Sequence, residues 1–84
     1  MRFCLITFRS VTPAQRGEGI LRREGIECSV RRTPRWMEEQ GCGYSLRLHH
    51  ADVQQAVQRL RDEQVPFRKV YLLRENGTPE ELEL

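Results

Sequence analysis

Arg2-Phe3-Cys4-Leu5-Ile6-Thr7-Phe8 (RFCLITF, residues 2–8) has no polar side to turn toward water. Its aromatic and branched residues favour extended backbone. With alternating side chains, Phe3 and Leu5 point one way and Cys4, Ile6 and Phe8 the other. A strand apolar on both faces belongs inside a sheet, so this segment predicts a central strand.

Working outward, Thr12 offers a helix N-cap with Pro13 at the first helical position. Ala14, Gly17 and Leu21 fall on one helical stripe, with Ile20 beside it. Gly17 and Gly19 each cost about 1 kcal/mol against alanine. Gly17 lies on the inward stripe, where close approach of helix to sheet accounts for it. Gly25 closes the helix as a left-handed cap, with Ile26 as the apolar contact beyond it. Residues 27–33 (ECSVRRT) place Cys28 and Val30 on one face and Ser29 and Arg31 on the other, a half-buried strand ended by Pro34. Residues 44–48 (YSLRL) alternate again, with Tyr44, Leu46 and Leu48 inward. An amphipathic helix follows from about Ala51 to Gln64, burying Val53, Ala56, Val57 and Leu60. Val65-Pro66 breaks it, and residues 68–73 (RKVYLL) form a fourth strand.

This order predicts an α+β fold: a ferredoxin-like βαββαβ arrangement, with a four-stranded antiparallel sheet and two helices on one face. The first strand should lie beside the third. Ile6, Leu21, Val30, Leu46, Val57 and Leu60 should be core. The opposite sheet face carries Phe3 or Leu5 and Tyr71 or Leu73, and calls for cover by the C-terminal tail or by a second subunit. The domain is expected over residues 1–75, with 76–84 as a polar, acidic tail. Many unrelated functions share this architecture, so it names none of them.

Composition narrows the choice. At 84 residues the chain is one small domain for which a partner or dimer would add buried surface. Its net charge of +2, from 14 basic and 12 acidic residues, does not demand nucleic acid. The strands also lack the exposed aromatic pairs on which bases stack. All the basic residues but Lys69 are arginine, a bias that either a GC-rich genome or anion binding produces. No apolar run nears the roughly 20 residues of a membrane span, and no signal peptide is visible, so a cytoplasmic, reduced setting is expected. There is no P-loop, GxGxxG, Ser–His–Asp order or paired-carboxylate constellation. No cofactor is expected, and no motif marks a stand-alone enzyme.

Three cysteines remain. Cys4 and Cys28 sit in strand patterns on apolar faces and read as small hydrophobes. None of the three has CxxC spacing, so no metal site is expected. His49 and His50 precede a helix, where capping or exposure is the simple reading; a metal role would need a third ligand. Cys42 is different. It lies between Gly41 and Gly43 at the end of a connection, Pro34–Gly43, longer than a hairpin needs. The glycines remove bulk around the sulfur and permit positive φ. Successive amides there are expected to form an anion-holding concavity, and Arg35, with Arg31-Arg32, to add positive charge that lowers the thiol pKa. An inert thiol at a loop–strand junction is the plainer alternative. Trp36, in the same loop, is either a lid over the sheet or an exposed anchor for a partner.

Cys4-Leu5-Ile6-Thr7-Phe8-Arg9-Ser10, Leu21 with Gly25-Ile26, Pro34-Arg35, and Cys42-Gly43 leading to Leu46 stand in an order and spacing that resembles a small bacterial family described as selenium/sulfur carrier protein-like. The likeness spans residues 3–73. It departs at Trp36–Gln40, where the family pattern has small and hydroxyl residues. The resemblance implies a sulfur or selenium carrier or thiol relay, holding a persulfide or selenosulfide on Cys42, with donor and acceptor proteins as partners. Arg35 would steady the negative charge. The competing reading is a non-catalytic interaction or small-ligand-binding regulatory domain that dimerises through its sheet.

Overall fold

The computed structural model describes residues 2–37 and 43–84. The strands are β1 (Phe3–Phe8), β2 (Cys28–Arg32), β3 (Tyr44–His49), β4 (Val70–Leu73) and β5 (Pro79–Leu82). The helices are α1 (Val11–Arg23) and α2 (Val53–Asp62), with short 3-10 turns at Arg35–Met37 and His50–Asp52. The sheet is antiparallel throughout, in the order β2-β3-β1-β4-β5. β1 is central and beside β3, as its two apolar faces require. The expected four strands become five: residues read as a tail pair with β4, Leu82 opposite Val70 and Pro79 opposite Leu73.

Both helices pack on one face. Cys4, Ile6 and Phe8 of β1 are buried there with Leu46 and Leu48 of β3, Leu21 of α1 and Leu60 of α2. Val30 is only partly buried, because β2 is an edge strand. At Gly17 a Cβ would lie 3.1 Å from Leu60 Cδ2 and 3.2 Å from Leu46 Cδ1. The absence of a side chain there is what lets α1 settle against sheet and helix together.

The helix ends correct and extend the reading. α1 starts earlier than expected, with Ser10 as N-cap and Pro13 at the third helical position, where its missing N–H still costs nothing. Gly25 has φ +79°, and the Ile26 amide donates to Leu21 O. α2 closes the same way without a glycine: Gln64 takes φ +57° and the Val65 amide donates to Leu60 O.

Candidate functional site

Beyond the last paired residues, Arg32 and Tyr44, the Thr33 amide donates to Gly43 O at 2.9 Å. That bond ties together the two feet of the β2–β3 loop. The chain then turns at Pro34, whose carbonyl accepts from the Met37 amide at 2.9 Å. This turn folds toward the sheet face opposite the helices. Pro34, Trp36 and Met37 line a groove of about 410 Å³ with Phe3, Leu5 and Arg47. Met37 is buried, whereas Trp36 is 65% exposed in the groove wall. The C-terminal residues do not lie across this face as anticipated; they lengthen the sheet at its edge.

The open face is cationic. The Arg47 guanidinium stands 3.8 Å over the Phe3 ring, and that ring lies 4.9 Å from the His49 ring. At the β2 edge, on the helix side of the sheet, Arg32 lies over Tyr44 and donates to its hydroxyl at 3.3 Å. Arg31 donates to Ser29 Oγ. Arg59 meets Glu24, Asp62 and Glu63, and Arg74 meets Glu80; on the open face itself Lys69 pairs with Glu81, and Glu75 lines the groove. Among the described residues, Arg31, Arg32, Arg35 and Arg47 have no carboxylate partner.

Of the residues singled out in the sequence, the structure brings Arg35 and Gly43 to the two feet of one loop. Arg35 is exposed in the 3-10 turn and Gly43 leads into β3. Cys42 and Gly41 lie outside the described residues. Cys4 is fully buried, and burial pushes its thiol up to about 11. Cys28 is also raised, by burial first and then by the Glu18 carboxylate, against a lowering influence of Arg22. Both are structural thiols, held protonated at neutral pH. No group of three or more metal-ligating side chains occurs among the described residues. His50 is exposed; His49 Nδ1 is buried without a hydrogen-bond partner among the described residues. Neither histidine caps the following turn through its side chain.

Three residues of this region escaped the sequence reading. Met37 lies in a loop, where no alternation marks it as buried. Thr33 and Ser45 look like surface hydroxyls, yet both are buried, and neither Oγ1 nor Oγ has a partner among the described residues. Ser45 sits on the open face between Thr7 and Arg31, so only the loop folding over that face could have revealed its burial.

The chain is thus a small α+β domain whose two described cysteines are buried and protonated. Residues 3–72 match the family described as "Putative Se/S carrier protein-like", and the chain belongs to that family. No curated protein and no solved structure matches it.

Proposed function

We propose that this protein is a cytoplasmic carrier of sulfur or selenium that works through Cys42, passing the atom between a donor and an acceptor protein. The observation that carries this reading is the family membership over residues 3–72. It is supported by the burial of Cys4 and Cys28, which leaves Cys42 as the thiol suited to chemistry. The strand order β4-β1-β3-β2, with two crossover helices on one face, supports the ferredoxin-like arrangement, β5 being an addition at the edge.

The transfer needs no cofactor. The Cys42 thiolate attacks the outer sulfur of a donor persulfide; an S–S bond forms at Cys42, the donor's S–S bond breaks, and the donor leaves as thiolate. The acceptor's thiolate repeats the exchange in reverse. With selenium, the donor's S–Se bond breaks as the Cys42 S–Se bond forms. Arg35 would steady the anionic persulfide, and Gly41 and Gly43 would leave the sulfur open to a large partner. Alkylation at neutral pH tests the reading. Cys42 should label well before Cys4 and Cys28 and titrate below the ordinary thiol value of about 8.5. Gly43→Val should slow labelling by crowding the sulfur. Labelling of Cys42 no faster than that of the two buried thiols removes the chemical basis of the proposal.

A second reading, a binding domain that pairs through its sheet, draws on the open face, where Phe3 and Leu73 remain only half-buried. A concentration-independent monomer in sedimentation counts against it.

A further inference from the structure

A second hollow, of about 670 Å³, opens at the end of the sheet where β1 finishes and α1 begins. Three elements meet there because of one backbone knot. The Thr7 amide donates to Lys69 O and the Arg68 amide donates to Thr7 O, both at 2.8 Å. The Lys69 amide also donates to Thr7 Oγ1 at 3.0 Å. Thr7 thus fixes the segment before β4 against the end of β1, and Arg9 and Arg68 emerge as neighbours. Arg16 reaches the same hollow from α1, with its guanidinium oriented by donation to Glu63 O at 2.9 Å.

The lining has two characters. Arg9, Arg16 and Arg68 supply cationic forks from three separate segments. Pro13, Pro66 and Phe67 supply an apolar wall. None of the described residues around the hollow is acidic, and neither Arg9 nor Arg68 has a side-chain hydrogen bond or carboxylate partner among the described residues. The α1 N-terminus adds to the field: Ser10 makes no side-chain cap bond, and the first turn holds no acidic residue. A volume of this size belongs to the small-molecule class.

We infer that this hollow binds a small phosphate monoester, its dianionic head held by Arg9, Arg16 and Arg68 and its apolar portion set against Pro13, Pro66 and Phe67. Guanidinium forks match phosphate oxygens in pairs, and three of them favour a dianion over a monoanion. The apolar wall favours an organic ester over the bare ion. The inference goes beyond the carrier reading and does not depend on Cys42.

The test is an amide-resolved NMR titration of the full chain with phenyl phosphate, with inorganic phosphate and phenyl sulfate as comparisons. Saturable shifts should concentrate at Arg9, Ala14, Phe67 and Arg68. Phenyl phosphate should bind about tenfold more tightly than either comparison. Arg9→Ala and Arg68→Ala, both in exposed or half-exposed positions, should each weaken it about tenfold, consistent with loss of a charged hydrogen bond. Arg9→Lys should weaken it less, and Arg31→Ala, on the open sheet face, should leave it unchanged. Equal weakening by Arg31→Ala would reduce the effect to net charge and overturn the site. Phenyl sulfate binding as tightly as phenyl phosphate would overturn the choice of a dianion, and the absence of saturation would overturn the inference as a whole.

Discussion

Gly17→Ala and Gly19→Ala, made separately, isolate the packing that defines this fold. Both glycines lie inside α1, so each alanine gains the same helix propensity, about 1 kcal/mol. At Gly19 a Cβ meets nothing within 4 Å, so the gain stands alone. At Gly17 the new Cβ falls 3.1 and 3.2 Å from two leucine methyls and 3.6 Å from the Phe8 ring. Leu46, Leu60 and Phe8 are all fully buried, so none can swing out to make room. Overpacking of that kind costs about 1–3 kcal/mol. Set against the propensity gain, Gly17→Ala should come out between neutral and about 2 kcal/mol destabilising, while Gly19→Ala stabilises by about 0.5–1 kcal/mol. Urea unfolding followed by circular dichroism reads both, provided the slope is unchanged and only the midpoint moves. Equal stabilisation by the two substitutions would refute the claim that α1 sits against Leu60 and Leu46 through Gly17.

Leu60→Ala should lower stability by about 2–5 kcal/mol in the same assay, because Leu60 is fully buried where α1, α2 and β3 meet. The Cys4 thiol gives a pH signature. Its folded pKa, about 11, exceeds the unfolded value of about 8.5, so the native state keeps a proton that the unfolded chain loses. Its contribution is constant below about pH 8.5, and stability then falls as pH rises toward 11, by roughly 3 kcal/mol at most. Cys4→Ala should flatten that part of the profile; an unaltered slope would mean the thiol is not the group titrating. Alkylation of unfolded and folded chains in parallel should show Cys28, like Cys4, protected only in the folded state.

Much of the architecture was legible because its main signals are local. RFCLITF is apolar on both sides, and that alone puts β1 in the middle. Gly25 followed by Ile26 marks a helix end, and Gly17 on the inward stripe marks a close approach. The fifth strand was hidden because Pro79–Leu82 offers Glu80 and Glu81 rather than an apolar alternation, and its pairing comes from the free edge of β4. The start of α1 was misplaced by two competing hydroxyl caps, Ser10 and Thr12. In the candidate site, the alternation in β1 and β2 correctly assigned Cys4 and Cys28 to the interior. It could say nothing of Met37, Thr33 or Ser45, whose burial depends on a loop folding over a distant sheet face. The hollow lined by Arg9, Arg16 and Arg68 was equally invisible, since Arg68 is far from the other two in sequence and joins them only through the Thr7–Lys69 pairing.

The central claim, that Cys42 holds sulfur or selenium, is tested most directly by mass spectrometry of the protein isolated from its own cells without reductant. The account predicts that the peptide containing Cys42 carries the added mass of one sulfur or one selenium atom, lost on reduction and absent from Cys42→Ser, while the peptides of Cys4 and Cys28 stay unmodified. An unmodified Cys42 peptide from cells in which persulfides are otherwise preserved, or an adduct that survives in Cys42→Ser, would contradict it.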